Sequence, residues 1–99
     1  MPLRFVRDTV YLHDRDAVKT TAIDGNTIVP CVTTRSALIL LGCTDGDDPQ
    51  RRVQKFEHHR PMIERAAAFK HSQGHHHGGS GAVLIDGRDL CALFGFRAR

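Results

Sequence analysis

The sequence predicts an α+β fold: a small antiparallel sheet of about three to four strands, packed by one long kinked helix and two short helices, in the order β-β-β-α-α-β-α. Three observations carry this expectation. Apolar residues alternate with period two through the first third of the chain. A stretch at residues 48–72 repeats its apolar positions with helical period. A short aliphatic run near the end leads straight into a helix cap. With 99 residues the chain makes a single domain, residues 1–99, and has room for a core without disulfide staples.

In chain order, Leu3 and Phe5 begin a short strand or arm, and Val10 and Leu12 alternate with Thr9, Tyr11 and His13 as a strand does. Asp14, Arg15 and Asp16 make a turn. Residues 17–24 and 27–33 form two further strands around Asp24-Gly25-Asn26-Thr27, the clearest hairpin signal present. Pro30 cannot donate to a ladder, so it argues for an edge, a bulge or a strand end. Thr33 or Thr34 caps a short helix at residues 35–41, which Gly42 stops. Residues 43–47 are a loop, and residues 73–81, GHHHGGSG with a leading Gln, form a Gly- and His-rich loop expected to be mobile. Residues 82–85 are the last strand. Asp86 then caps a helix over 87–94, with Asp89 three residues on as in a capping box.

The long helix is bounded by Asp48 as N-cap and Pro49 at its first position. Val53, Phe56, Ile63, Ala67 and the stem of Lys70 share a face, widened by Met62, Ala66 and Phe69. Pro61 removes the bond to the Glu57 carbonyl, a cost of about 3 kcal/mol inside a helix. The apolar phase persists across it, which favours one kinked helix over two helices meeting near His59 and Arg60.

Composition narrows the function classes. No apolar run approaches the ~20 residues of a membrane span, and MPLRF lacks the features of a signal peptide, so a cytoplasmic location without membrane contact is expected. Cys31, Cys43 and Cys91 have no metal or redox spacing and are expected to act as small hydrophobes, Cys43 being the most exposed. The formal charge is +3, and the long helix carries six basic residues against two acidic ones.

The residues also resemble a known family. The resemblance runs through MPLRF, DGNTIVPCVTTRSAL, Phe56-Glu-His-His-Arg60, Ile63-Glu64, Ala67 and Lys70, to Val83-Leu-Ile-Asp-Gly-Arg-Asp-Leu90. This pattern is similar to domain-of-unknown-function family 1488, small bacterial proteins. The resemblance implies a compact α+β fold and brings no assigned activity or catalytic residue. The HHHGGSG insert and Pro61 depart from the family pattern.

Four readings of function follow. The first is a non-catalytic accessory or protein-interaction domain, with a protein partner or self-association through a sheet edge or helix face and no cofactor. The second is nucleic-acid binding by Arg51, Arg52, Lys55 and Arg65, whose cations can follow phosphates; against it, charged helix faces are ordinarily just solvated. The third is an anion site at His59 and Arg60, a guanidinium fork beside an imidazole. The ordinary alternative is that Arg60 lays its stem over the sheet and bonds a strand carbonyl or Glu64. The fourth is a transition-metal site at His75, His76 and His77, although no ligand spacing completes it. Enzyme chemistry is the weakest reading: Glu57 and Glu64 lie ~10 Å apart by helix rise, and no serine sits in a nucleophile elbow.

Overall fold

The computed structural model describes residues 3–44, 46, 48–74 and 82–95, with Arg7 described by its backbone only. Strands β1 (Arg4–Leu12), β2 (Ala17–Asp24), β3 (Thr27–Thr33) and β4 (Val83–Ile85) form one sheet in the order β1-β2-β3-β4. The first two pairings are antiparallel hairpins; β4 runs parallel to β3, with Cys31 opposite Val83 and Thr33 opposite Ile85. The sheet is therefore mixed, not purely antiparallel. Three helices lie between β3 and β4, so the chain makes a crossover and re-enters in the same direction. Gly25, at φ +62°, makes the tight turn between Asp24 and Thr27.

The arm and the second strand pattern predicted near the N-terminus join into the single strand β1. Its register with β2 slips between Val6 and Val10, the signature of a bulge or similar irregularity. The slip leaves ladder groups that side chains satisfy. Asp8 Oδ1 accepts the Thr21 N–H at 2.9 Å, and Thr20 Oγ1 donates to the Val6 carbonyl at 3.2 Å. The turn after β1 places Asp16 in left-handed backbone, φ +49°.

Four helices follow: α1 (Arg35–Leu40), α2 (Pro49–His58), α3 (Arg60–Ser72) and α4 (Gly87–Phe94). The single kinked helix expected over 48–72 is two helices. His59, at φ −106° and ψ 15°, leaves helical geometry between them. Pro61 then falls in the first turn of α3, where a missing N–H costs nothing. The apolar phase survives because a one-residue interruption barely turns the face. Asp48 caps α2 through the Arg51 N–H at 2.8 Å. Asp86 and Asp89 form the predicted capping box on α4.

One face of the sheet meets all four helices. Val18, Ala22, Val29, Cys31, Val83 and Ile85 alternate onto it. They pack with Ala37 and Leu38 of α1, Phe56 of α2, Ile63, Ala66 and Ala67 of α3, and Leu90 of α4. Cys43 is buried in this core, contrary to its expected exposure, because its N–H bonds back to the Leu38 carbonyl. Cys91 is the partly exposed cysteine.

Because Pro61 occupies a first-turn position, Pro61→Ala is expected to be near neutral or to destabilise by up to about 1 kcal/mol through a looser unfolded chain. A mid-helix proline would instead gain about 3 kcal/mol on the same change. Urea unfolding of the two proteins separates these outcomes.

Candidate interaction surfaces

The residues singled out in the sequence divide between two directions. Arg52, from the middle of α2, points inward and is 1% exposed. Its Nε lies 2.7 Å from Asp16 Oδ1, and its Nη2 donates to the Thr44 carbonyl at 3.0 Å. The Asp16 carboxylate also accepts from the Tyr11 hydroxyl and sits 3.4 Å from Arg35 Nε. This cluster ties the β1–β2 turn to α1 and α2. The Asp16 carboxylate holds the Tyr11 hydroxyl above its ordinary pKa.

Arg51, Lys55 and His58 remain on the outer side of α2, Arg51 and His58 being exposed. They surround a small surface hollow with Gln54. Arg65 is exposed on α3 with its guanidinium 6.0 Å from the Phe94 ring, on a different helix. The four basic residues expected to follow phosphates therefore do not share one surface: Arg51 and Lys55 do, Arg52 is turned into the core, and Arg65 stands beside α4.

Arg60, the first residue of α3, is 7% exposed and reaches across to the sheet. Its Nη2 donates to the Val6 carbonyl at 3.4 Å, and Nη1 lies 3.3 Å from Thr20 Oγ1 and 3.4 Å from Glu64 Oε2. Glu57 Oε1 is 3.2 Å from Nε, and the guanidinium stands 5.3 Å from the centre of the Phe56 ring. The fork is thus occupied by the strand carbonyl released at the β1 irregularity and by two carboxylates. His59 beside it lies against His58 in an edge-on ring contact. Burial, with the neighbouring His58 and Lys55, holds the His59 imidazole below its ordinary pKa.

At the other end of α3, Lys70 Nζ lies 2.8 Å from Asp89 Oδ2 and donates to the Leu84 carbonyl. His71 Nε2 meets Asp24 Oδ2 at 2.9 Å, which holds the Asp24 carboxyl low. His75, His76 and His77 lie outside the described residues; among the described residues no cluster of three or more His, Cys, Asp or Glu is placed to hold a metal. No described helix is long and apolar enough to cross a membrane.

Two surfaces emerged that the sequence reading did not single out. The first is the sheet face opposite the helices. Val6, Val10 and Leu12 of β1, Ile23 of β2, Ile28, Pro30 and Val32 of β3 and Leu84 of β4 point to it by alternation and register. Their signal was present in β3, where Ile28, Pro30 and Val32 alternate with Val29 and Cys31, so both faces read apolar. The second is an open groove of about 930 Å³ between α1 and α4, bordered by Arg35, Ser36, Ile39, Gly87, Arg88 and Cys91. It forms from elements 50 residues apart, which local periodicity does not connect.

Residues 3–81 match the family described as "Protein of unknown function (DUF1488)". The chain belongs to this family. A crystal structure of a family member of unknown function from Shewanella loihica PV-4 has the same fold, with a TM-score of 0.77 at 18% identity, covering 86% of this chain and 92% of that one. No curated protein matches the sequence. The family match spans β1 to α3, including Arg60, while β4 and α4 follow it in the chain.

Two outcomes test the polar architecture. Arg60→Ala removes the cation shared by Glu57 and Glu64 and leaves the Val6 carbonyl with the Thr20 hydroxyl alone, and is expected to cost about 1–3 kcal/mol in chemical denaturation; Arg60→Lys is expected to recover only part of this, lacking the fork. Because the folded His59 pKa lies below its ordinary 6.5, its contribution is fully present above that pH and declines as pH falls through 6.5. The pH dependence of unfolding between pH 7 and pH 5 is expected to flatten in His59→Gln; an unchanged slope assigns the effect elsewhere.

Proposed function

We propose that the protein is a non-catalytic interaction protein that self-associates through the outer face of its sheet. The observation that supports this reading is the apolar character of that face. An antiparallel sheet with one solvated side ordinarily alternates apolar inward and polar outward. Here nine outward positions are aliphatic or proline, of which Ala17 and Val32 are buried, interrupted by Arg4, Lys19 and Thr21. Val10 and Ile28 are 47% and 70% exposed. Val6 is also exposed on this face, and exposed apolar residues grouped on one face mark an interaction site more often than single scattered ones.

Charge favours a second copy, and the area sets how tightly it can bind. Four strands about 4.8 Å apart and averaging about seven residues at ~3.3 Å each give a flat face of roughly 400 Å². Two such faces bury roughly 800 Å² before side-chain relief, below the standard specific interface and in the range of weak, transient association, so the dimer is concentration-dependent. The face also carries opposite charges: Lys19, and the Asp8 carboxylate at the β1 irregularity. The Thr21 hydroxyl and N–H hold Asp8 below its ordinary pKa, hence ionised. A two-fold arrangement can set Lys19 of one copy against Asp8 of the other.

Nucleic-acid binding is the second reading, supported by the shared outer position of Arg51, Lys55 and His58 on α2. With Arg52 inward, this leaves few cations for phosphate contact, and a shallow salt slope is its expected mark.

Sedimentation velocity is expected to show a monomer–dimer equilibrium at about 100 μM protein. Val10→Glu and Ile28→Glu should each abolish it without lowering Tm, while Phe69→Glu, on the helical side, should leave it intact. A monomer at every concentration, or dimers insensitive to both strand variants, rejects the reading.

A further inference from the structure

The groove between α1 and α4 lies apart from the sheet face. Its floor is aliphatic: Ile39 and Leu40 from α1 and Ala92 from α4. Its approaches are cationic. Arg88 is exposed and has no hydrogen bond or ion pair with a described residue. Arg35 is half-exposed and shares its Nε with Asp16 at 3.4 Å. Asp86 also borders the groove, but its Oδ1 accepts the Asp89 N–H of the capping box.

The helices are held rigidly at one end. Gly87 N–H donates to Ser36 Oγ at 2.9 Å, and a Cβ at Gly87 would come within 3.2 Å of Leu40 and 3.3 Å of the Ser36 carbonyl. Close contact there, with bulkier spacing beyond, leaves an opening of about 930 Å³, within the size of small-molecule sites. Apolar walls and a guanidinium at the rim that is unpaired among the described residues match one ligand chemistry. An aliphatic chain fills the floor, and a single carboxylate at its end meets Arg88.

We propose that the α1–α4 groove binds an amphiphilic carboxylate, its chain over Ile39, Leu40 and Ala92 and its head group at Arg88. Cys91 borders the same groove and is partly exposed, whereas Cys31 and Cys43 are buried. The thiol of Cys91 therefore reports occupancy.

The test uses the full chain with decanoate below its micellar concentration, and decanol and acetate as controls. Alkylation of Cys91 by iodoacetamide, followed by peptide mass analysis, is expected to slow about tenfold at a decanoate concentration roughly ten times its Kd. Acetate should give no protection, and decanol much less than decanoate. Arg88→Gln should reduce decanoate protection to the decanol level. Ala92→Trp, at an exposed position, should fill the groove and remove protection with Tm unchanged. Absence of protection by decanoate in the parent protein overturns the proposal, as does equal protection in Arg88→Gln or Ala92→Trp. Circular dichroism confirms that each variant is folded, and a monomeric Ile28→Glu protein keeps the result independent of self-association.

Discussion

A buried cation, Arg60, bridges the two layers of this protein at the edge of the sheet. β1 is an edge strand, and its register breaks between Val6 and Val10, so the Val6 carbonyl needs a partner outside the ladder. Arg60, from the first turn of α3, donates to it together with the Thr20 hydroxyl, and is itself compensated by Glu57, Glu64 and Thr20. The break at His59 fits this geometry. It starts a new helix at Arg60, so the guanidinium stem leaves from a helix end above the strand. An isolated buried guanidinium would be very costly; here two carboxylates and a carbonyl share its charge. Arg52 repeats the device near the other end of α2, anchoring the β1–β2 turn through Asp16.

Much of the fold was legible because its signals are local. The Asp24-Gly25-Asn26-Thr27 hairpin, the Asp48 and Asp86 caps and the apolar phase of Phe56, Ile63 and Ala67 depend on neighbours within a few residues. The direction of β4 is different. Val83 to Ile85 reads the same in a parallel or an antiparallel ladder, and only the crossover decides it. Pro61 marked the interruption, but an apolar phase that persists across it does not distinguish a kink from the break that falls at His59. The capped ends were visible, and the place of the interruption was visible as the alternative near His59 and Arg60; the persisting apolar phase favoured the other choice.

The polar residues were harder to place than the apolar ones. A helical wheel puts Arg52 near the border of the apolar stripe, but its inward turn depends on Asp16, held in left-handed backbone 36 residues earlier. Arg60 was readable as a residue lying over the sheet, since Glu64 is one turn away and Phe56 one turn back. The basic, His-rich character of residues 48–72 thus mixes two populations. Arg60 and Arg52 are part of the architecture, and Arg51 and His58 remain at the surface. Composition counts both alike.

The parallel pairing of β3 with β4 also sets an order of events as the chain emerges and folds. The β1–β2–β3 meander closes through contacts between neighbours in sequence and can form early. β4 reaches β3 only after some fifty intervening residues, a closure whose entropy must be met before its hydrogen bonds form. Until then the β3 edge beside Cys31 and Thr33 is open, and the places of Val83, Ile85 and Leu90 in the core are empty. A three-residue strand arriving last is therefore the lock on the assembly. The interval before it docks is when an exposed strand edge and an incomplete core make the chain most prone to pair with the wrong partner.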